Sequence, residues 1–332
     1  MKKISILIPC FNEVENVEAI SEAVENVIKK DLPAYDYEIC FIDNSSTDGT
    51  RDKIEELCRE NKKLKAIFNV TNFGQFNSPF HGMCSLDGDC VIPVCADFQD
   101  PVELIPVFVH EWEKGHKIVS GVKSSSRESG IVYFLRSVYY KLIKGMSSVH
   151  MIEHFTGFGL YDKSFIRLLR ELDDSQPFIR GIVAEYGEGF NLKLVEYEQP
   201  QRRAGKTHNN FYTLYDAAML SFTSYTKVGL RLATILGFVI AGVDILVAIF
   251  YLIMKLTHWY DFSAGSAPMV IGIFLMGAMQ MIFIGLVGEY ILNINTRVIH
   301  RPVVVEERRI NWDDGSPENA EENKPLQDIS GA

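Results

Sequence analysis

Acidic and amide side chains follow a short apolar run in the first third of the chain. The run extends from Cys90 to Cys95, and Asp97 and Gln99 come directly after it. Carboxylate and amide oxygens are hard ligands of the kind that Mg²⁺ and Mn²⁺ prefer, and Pro101 marks a position where a helix can start. The spacing therefore predicts a divalent metal site at the end of a buried strand. Cys95 occupies the position, two before Asp97, where a second acid would be expected.

Two further loops carry short polar side chains at the ends of predicted strands. The segment Pro9 to Glu13 combines a rigid turn, an aromatic ring and a carboxylate that could hold a base and a ribose, and Asp43 to Asp48 is rich in short acceptors. Taken alone, each loop is more typical of a helix cap than of a ligand site. Their repetition at successive strand ends favours a binding edge, because open α/β folds bind ligands outside the carboxyl ends of their strands.

These loops are positioned by an alternation of β-rich runs and amphipathic helices over about the first 200 residues. The short links between them predict a mostly parallel sheet in an α/β domain. The predicted strands are Ile4–Ile8, Tyr37–Ile42, Leu64–Phe68, Cys90–Val94 and Lys117–Val122, and the clearest helices are Val14–Ile28 and Thr50–Cys58.

The composition excludes several classes of partner and site. The 332-residue chain has a formal net charge of −10, which argues against nucleic acid as the main partner. Its six cysteines form no CxxC pair, so neither a zinc site nor a disulfide framework is indicated. The N-terminal apolar run of about five residues is too short for a signal peptide. The N-terminal domain is therefore expected to stay in the reducing cytosol.

Two stretches, Leu232 to Met254 and Ala267 to Leu292, are each long enough to cross a hydrocarbon core of ~30 Å at ~1.5 Å per residue. Basic residues flank the pair but are scarce in the connecting loop, so both ends should face the cytoplasm. A buried helical hairpin in a soluble core is the alternative. Asp244 and Gln280 interrupt the apolar pattern. An intramembrane Asp is functional, protonated or bonded to another helix. Both polar residues would suit packing between chains, which leaves a homo-oligomer open.

An amphipathic segment precedes the first apolar stretch. Its aromatic and small residues recur at spacings of four and three, which places them on one face of a helix. Such a helix would lie in the membrane interface or pack against the N-terminal domain. The recurring residues are Phe211, Tyr215, Ala218, Phe222 and Tyr225.

The chain therefore divides into four predicted parts. Residues 1–208 form the α/β domain, 209–230 an amphipathic juxtamembrane helix, 231–293 a two-helix transmembrane hairpin and 294–332 a cytoplasmic tail. From about residue 312 the tail is acidic, with Gly, Pro and Asn, a composition typical of disorder.

Seven short motifs occur in order along the chain. They are IPCFNEVEN (Ile8–Asn16), FIDNSSTDGT (Phe41–Thr50), TNFGQ (Thr71–Gln75), ADFQDP (Ala96–Pro101), GFGLYDK (Gly157–Lys163), FIRG (Phe178–Gly181) and RRAGKT (Arg202–Thr207). Over about residues 3 to 305, the chain resembles the family 2 glycosyltransferases of the GT-A fold, in the polyprenyl-phosphate branch that includes dolichol-phosphate mannose synthases and bactoprenol glucosyltransferases. The resemblance implies a Rossmann-like GT-A domain with a mostly parallel sheet, followed by an interfacial helix and two transmembrane helices.

The resemblance also implies a nucleotide site at the strand ends. In such enzymes the positions matching the first two polar loops hold the base and the ribose. Asn44 replaces the second Asp of the usual pair, so the identity of the base stays open. The expected nucleotide-binding residues are Pro9, Phe11, Asn12, Glu13, Asp43, Asn44, Asp97, Arg202 and Lys206.

By the same resemblance, Asp97 and Gln99 ligate Mg²⁺ or Mn²⁺ between the diphosphate oxygens. A hard divalent ion neutralises the negative charge that develops on a nucleotide-diphosphate leaving group. Arg202 and Lys206 match positions that clamp the diphosphate, although a basic patch at the membrane surface is the alternative for Arg202 and Arg203. Asp100 is left as a helix cap or a supporting residue.

The acceptor site is expected at basic residues. Lys123 and Arg136 match positions that receive a lipid phosphate, Arg127 is grouped with them, and Arg136 joins Asp97 and Gln99 as a catalytic candidate. A phosphate monoester has its second pKa near ~6, so its oxygen is already anionic and needs no general base. That fits a departure from the family, because Gly157 and Gly159 replace an acid and an arginine. Glu153, His154 and Asp162 are possible substitutes for that acid, each more readily explained as structural.

The chain is thus expected to be an inverting, membrane-anchored enzyme that transfers one sugar from a nucleotide-diphosphate sugar, UDP-linked by preference, to undecaprenyl phosphate. It would act at the cytoplasmic leaflet of a bacterial inner membrane, in cell-envelope glycan synthesis or modification. A catalytically inactive GT-A membrane protein with a role in binding or assembly is one alternative. A polysaccharide synthase-like transferase is another, but the QxxRW motif of such enzymes is absent.

Overall fold

The computed structural model describes residues 1–125, 152–172, 174–203, 266–298 and 302–312, together with scattered positions between 215 and 257. The described residues belong to two compact units. The first comprises those in 1–125, 152–203 and 302–312, and the second comprises 266–298 and the scattered positions. Several predicted features lie outside the described residues. They are Arg127, Arg136, Lys206, Asp244, the tail beyond 312, and most of the predicted juxtamembrane helix and of the first predicted span.

The first unit is built on an eight-stranded sheet with the order β7-β5-β6-β4-β1-β2-β3-β8. All five predicted strands are present, and the predicted mostly parallel α/β sheet is confirmed. The strands are β1 (Lys3–Cys10), β2 (Asp36–Asp43), β3 (Leu64–Asn69), β4 (Cys90–Pro93), β5 (Ile118–Ser125), β6 (Phe155–Asp162), β7 (Leu192–Glu198) and β8 (Glu306–Ile310).

Parallel and antiparallel pairs are mixed in this sheet. β1 pairs in parallel with β2 and β4, β2 with β3, and β5 with β7. β6 is antiparallel to both β4 and β5, and β8 is antiparallel to β3. The central strands read as nearly continuous apolar runs because helices cover both of their faces.

Alternate side chains of each strand enter two separate cores. Ile6 and Ile8 belong to one core, whereas Leu7 between them belongs to the other. Helix α1 buries Val17 and Ile20 in the first core, and each such side chain contributes about 1.5–3 kcal/mol. The helices of the first unit are α1 (Val17–Asp31), α2 (Thr50–Glu60), α3 (Gly74–Ser85), α4 (Leu104–Glu113), α5 (Lys163–Leu172) and α6 (Ile179–Tyr186), followed by a 3₁₀ turn (Gly187–Phe190).

Strand β8 comes from the segment that the sequence assigned to a tail. It pairs with β3 at the edge of the sheet, with Ile310 opposite Ala66 and Arg308 opposite Phe68. Four of its five residues are charged, so the sequence lacks the alternation of apolar and polar residues that would predict a strand. The chain after the second apolar stretch therefore returns to complete the α/β sheet.

In the second unit, helix α7 (Ser266–Val298) contains the second predicted span. Within the part of the chain that the structure describes, no helix combines the length and the apolar character needed to cross a membrane. The two transmembrane helices therefore stay a prediction from the sequence.

Candidate active site

The polar loops singled out in the sequence meet at one edge of the sheet. β1, β2, β3 and β4 run parallel, so their carboxyl ends lie together, and β6 begins at that edge because it is antiparallel to β4. β5 and β7 also end there. The register pairs Cys10 with Asp43, and the Asn44 amide donates to the Cys10 carbonyl over 2.9 Å. The first two predicted loops are therefore neighbours.

Asp43, the last residue of β2, is fully buried, and two donors hold its carboxylate. Arg51 Nε donates to Oδ2 over 2.8 Å, and the Ser46 amide donates to the same oxygen over 3.1 Å. A buried carboxylate is costly unless it is paired and hydrogen-bonded. Arg51 was not among the predicted site residues, and its only sequence signal is a basic residue directly after a polar loop.

Arg202 joins two of the predicted loops. Its Nη2 atom lies 2.8 Å from Oδ2 of Asp97 and 3.6 Å from Oε1 of Glu13, and its Nε donates to Asp97 Oδ2 over 3.0 Å. Glu13 also accepts a hydrogen bond from Asn16 Nδ2 over 2.6 Å. All three charged side chains are mostly buried, so solvent screens these ion pairs weakly. The sequence assigned Arg202 to the diphosphate, and the structure pairs it with Asp97 and Glu13, two other residues of the predicted nucleotide site.

The loop after β4 turns sharply around Asp97. Asp97 Oδ1 accepts the Gln99 amide over 3.0 Å, and Phe98 between them has a φ of 63°. The Arg203 amide donates to the Asp97 carbonyl over 3.1 Å, and the Arg203 guanidinium lies 5.1 Å from the centre of the Phe98 ring. The segment that contains Arg202 is thus fixed to this loop by its backbone as well as by its side chain.

Asp100 closes the same loop from inside the protein. Its Oδ2 accepts the Cys95 amide over 3.0 Å, and its Oδ1 accepts the Tyr197 hydroxyl over 3.4 Å. Helix α4 begins at Leu104 with Glu103 as its N-cap, so the expected helix start at Pro101, with Asp100 as its cap, is wrong. Both carboxylate oxygens of Asp100 accept hydrogen bonds that hold the turn. This is the supporting role that the sequence left open.

The charge state of Asp100 depends on its surroundings. Burial raises its pKa above the usual value, hydrogen bonds from Cys95 oppose that rise, and the negative charge of Asp97 adds to it. The positive charge of Lys123, on β5, lowers the pKa of Asp100. Lys123, a predicted acceptor-site residue, therefore lies within electrostatic reach of the loop that carries Asp97.

Asp97 and Gln99 offer the oxygen donors that a hard divalent cation requires. Among the described residues, no group of three or more His, Cys, Asp and Glu side chains is placed to hold a metal. Two protein oxygens nevertheless fit Mg²⁺, which keeps several waters and takes further ligands from substrate phosphates. These two side chains fit such a cation, and the Asp97 carboxylate would then bind both the cation and Arg202.

The Asn44 side chain is hydrogen-bonded to the neighbouring loop. Its Oδ1 accepts the Phe73 amide over 2.9 Å and Asn69 Nδ2 over 3.2 Å. Its Nδ2 donates to Asn72 Oδ1 over 2.8 Å and to the Gly74 carbonyl over 3.2 Å. All four hydrogen bonds that an amide can form are used, so the Asn44 side chain holds the TNFGQ loop against the end of β2.

Asn12 joins the first two loops in a similar way. Its amide donates to Ser46 Oγ over 2.9 Å, and its Oδ1 accepts the Thr47 amide over 2.8 Å. The Glu13 amide donates to Thr50 Oγ1 over 2.9 Å. The IPCFNEVEN and FIDNSSTDGT motifs therefore form one hydrogen-bonded unit, which leaves the half-buried Pro9 and Phe11 at its edge.

Four non-glycine residues with positive φ lie in loops at this edge. They are Asn12 (56°), Ser45 (65°), Phe98 (63°) and His154 (60°). Each costs about 1–3 kcal/mol of backbone strain, and such residues cluster at functional sites. Their positions support the assignment of this edge as the active site.

The GFGL segment explains the two glycines that replace family residues. Gly157 has a φ of 106°, and a Cβ there would lie 3.4 Å from Ile179. A Cβ at Gly159 would lie 2.3 Å from the carbonyl oxygen of Val119. An acid at 157 would be strained by the positive φ of that position, whereas an arginine at 159 would require a shift of the β5 backbone.

The three candidate substitutes for the missing acid separate clearly. Asp162 lies at the far end of β6, where Trp112 Nε1 donates to its Oδ2 over 2.7 Å and Lys117 Nζ lies 3.2 Å from the same oxygen. It is structural and at the wrong edge. Glu153 and His154 precede β6 and lie at the site edge, where the His154 carbonyl accepts the Lys123 amide over 3.3 Å. Arg127, Arg136 and Lys206 lie outside the described residues.

Comparison with known proteins gives a consistent family assignment. The sequence model described as Glycosyl transferase family 2 matches residues 5–169. The uncharacterized glycosyltransferase YkoT of Bacillus subtilis (strain 168) is 31% identical over 308 residues, which cover 90% of this chain and 89% of that protein. The prophage bactoprenol glucosyl transferase homolog of Escherichia coli (strain K12) is 28% identical over 307 residues, which cover 92% of this chain and 99% of that protein.

A solved structure is also similar to the chain. It is the crystal structure of mannosyl-3-phosphoglycerate synthase from Rubrobacter xylanophilus, with 18% sequence identity and a TM-score of 0.47. The match covers 66% of this chain and 71% of that one.

Proposed function

Because the chain belongs to glycosyl transferase family 2, we propose that this glycosyltransferase moves one sugar from a nucleotide-diphosphate sugar, preferably UDP-linked, to the phosphate of a polyprenyl phosphate. The acceptor is undecaprenyl phosphate, and the reaction inverts the anomeric centre. The named bactoprenol glucosyl transferase homolog, which matches 92% of this chain, supports the choice of acceptor.

The observation that carries the proposal is the position of Arg202 between Asp97 and Glu13, at 2.8 and 3.6 Å. A guanidinium held between carboxylates, at the edge where Asp43 ends β2, supplies the fork that a diphosphate oxygen requires. Glu13 and Asp43 lie on the β1 and β2 side of that fork, which suits the ribose and the base. Asp97 and Gln99 lie on the β4 side, which suits the diphosphate.

The chemistry is a single displacement. An acceptor phosphate oxygen forms a bond to the anomeric carbon of the sugar while the bond from that carbon to the β-phosphate oxygen breaks, and the nucleoside diphosphate leaves with the electron pair. No proton has to be removed from the acceptor, because a phosphate monoester is mostly dianionic at neutral pH, its second pKa being ~6. The absence of an acid at Gly157 is compatible with that route.

The protein contributes positioning and charge neutralisation. Arg202 holds the diphosphate, and Lys123 receives the acceptor phosphate together with Arg127 and Arg136. Mg²⁺ or Mn²⁺ held by Asp97 and Gln99 would neutralise the charge that develops on the leaving group. Asp100 and Asn44 keep the two loops in place.

The acceptor lipid implies attachment to a membrane. The apolar stretches within 231–293 supply two spans, with the catalytic domain and both termini in the cytoplasm of a bacterium and the enzyme in its inner membrane. The sequence pattern of 209–230 suits a helix in the interface. In that arrangement a long-chain lipid presents its phosphate to the strand ends.

A substrate panel tests the proposal. Purified full-length protein in detergent is incubated with UDP-, GDP- and dTDP-sugars carrying a radiolabel, and either undecaprenyl phosphate or undecaprenol. We expect label in the organic extract with the phosphate and with one nucleotide class, and none with the alcohol, because only the phosphate brings an anionic nucleophile. Equal labelling of the alcohol would contradict the assigned acceptor.

A further inference from the structure

We propose that Glu307, on strand β8, is a positioning residue of the nucleotide site that acts on Asp43 through Arg51. The inference rests on the proposed function, because Asp43 is assigned to the nucleotide there. It makes the strand that follows the second apolar stretch a part of the donor site, although nothing in its sequence, EERRI, suggests a binding role.

Arg51 makes three contacts in three directions. Its Nε donates to Asp43 Oδ2 over 2.8 Å, its Nη2 donates to the Asn69 carbonyl over 2.9 Å, and its Nη1 lies 2.9 Å from Glu307 Oε2. The guanidinium also lies 5.2 Å from the centre of the Phe68 ring. A planar group with all of its edges engaged has one orientation, so Arg51 presents Nε to Asp43 in a fixed direction.

The orientation of the Asp43 carboxylate depends on the direction from which Arg51 Nε donates to it. The Ser46 amide also donates to Oδ2 of Asp43 and lies farther, at 3.4 Å, from Oδ1. The shorter contacts are therefore to Oδ2, and Oδ1, which accepts only the longer hydrogen bond from Ser46, is the oxygen through which Asp43 would accept from a nucleobase donor. A small rotation of Arg51 would rotate the carboxylate and misplace Oδ1.

A local irregularity in the sheet presents Glu307 to Arg51. Phe68 pairs with Arg308 and Asn69 pairs with Glu306, so the register shift between Phe68 and Asn69 leaves Glu307 without a partner across the strand. Such an extra residue bends the strand and re-aims a side chain. Here the re-aimed side chain reaches from the edge strand to the helix that follows β2.

The ion pair contributes little as a contact in its own right. The Glu307 side chain is 43% exposed and that of Arg51 is 24% exposed, and pairs near the surface have small effects on folding stability. Geometry is a stronger reason for the contact, because Glu307 lies on the opposite side of Arg51 from Asp43 and restrains it there. The same guanidinium reaches Asn69, whose amide binds Asn44, so the restraint extends to the TNFGQ loop.

The test is a measurement of nucleotide affinity with the full-length protein in detergent, by calorimetry with UDP, GDP and dTDP in the presence of Mg²⁺. For the nucleotide that binds best, Glu307→Gln is expected to raise the dissociation constant about threefold, in keeping with a partly exposed ion pair. Glu60→Gln is the matched control, because it makes the same change of charge at an exposed position at the end of α2, nine residues after Arg51, and should leave the affinity unchanged.

A double substitution separates positioning from mere support of the strand. If Glu307 acts through Arg51, Glu307→Gln should change the affinity no further in an Arg51→Lys background, because lysine cannot bridge three partners. Equal affinities of wild type and Glu307→Gln, or additive effects in the double variant, would overturn the inference alone. Wild-type protein that binds none of the nucleotides would overturn the proposed function and this inference with it. Unchanged melting temperatures show that the variants are folded.

Discussion

The guanidinium of Arg202 lies 2.8 Å from the carboxylate of Asp97, although 105 residues separate them. That pair connects the strand β4 loop, which carries the expected metal ligands, with the segment after β7. Arg202 also approaches Glu13 at 3.6 Å. The Arg202 guanidinium is held in place before any substrate binds, so the diphosphate would meet a preorganised positive group.

Arg202→Lys should lower kcat/KM for the sugar nucleotide by about tenfold or more, because a charge-assisted hydrogen bond contributes about 1.5–3 kcal/mol and lysine lacks the fork. Steady-state transfer rates at varied donor concentration measure this. Arg203→Lys is the control, since the Arg203 side chain stacks on Phe98. A loss as large in Arg203→Lys would argue that the whole segment, and not the Asp97 pair, carries the effect.

Asn44→Asp, which restores the more usual acid of the family, should destabilise the protein. A carboxylate cannot donate, so its oxygen would face Asn72 Oδ1 and the Gly74 carbonyl, at 2.8 and 3.2 Å from the present nitrogen. The loss is expected to be about 1–3 kcal/mol, seen as a lower melting temperature and a higher KM for the donor. Asn26→Asp, on the exposed face of α1, should change neither. An Asn44→Asp protein as stable as wild type would refute the fastening role.

Gly157→Asp tests whether the reaction lacks a general base. The φ of 106° makes any side chain at 157 strained, at a cost of about 1–2 kcal/mol, and an anionic acceptor has no proton to lose. We therefore expect a less stable protein with no gain in the transfer rate between pH 6 and about 9. A transfer rate of Gly157→Asp above that of wild type in this pH range would show that a base is useful after all.

Glu306 predicts acid sensitivity of the C-terminal strand. Burial alone would raise its pKa, but hydrogen bonds from His81 and Arg309 outweigh burial and lower the pKa from 4.5 to about 2. Between pH 4.5 and about 2, Glu306 is therefore protonated in the unfolded chain and ionised in the folded chain. The resulting stability is present above about pH 4.5 and is lost as the pH falls towards about 2, an effect of about 3 kcal/mol.

Melting temperatures of the full-length protein against pH measure that effect. Glu306→Gln should be less stable than wild type at pH 7, and the difference should shrink through the acid range. Glu60→Gln, at an exposed position of α2, should follow the wild-type profile. A constant gap between Glu306→Gln and wild type at every pH would assign the effect to lost packing.

The sequence was sufficient for features with local signals. Apolar runs such as Ile4–Ile8 predicted strands, and the polar residues after them predicted a common edge, since parallel strands end together. Features that depend on pairing at long range were not accessible. The antiparallel direction of β6 puts Asp162 at the wrong edge, and the charged β8 is a strand because its backbone pairs with β3, a partner more than 200 residues away in the chain.

The roles of individual amides were also beyond the sequence. Asn44 looks like a ligand by position, and only the placement of Asn69, Asn72 and Gly74 shows that its hydrogen bonds are already used. Arg51 has no motif of its own, because its importance comes from Asp43 and Glu307 on either side of it.

The most direct measurement is transfer of a radiolabelled sugar from its nucleotide to undecaprenyl phosphate by the purified full-length protein, with and without EDTA, for wild type and Asp97→Asn. The account predicts labelled lipid with wild type and Mg²⁺ or Mn²⁺, its loss with EDTA, and a fall of about a hundredfold or more in Asp97→Asn, as removal of a principal electrostatic group produces. Undiminished transfer by Asp97→Asn would contradict the assignment of the metal and diphosphate site. No transfer by wild type from any sugar nucleotide would contradict the proposed activity itself.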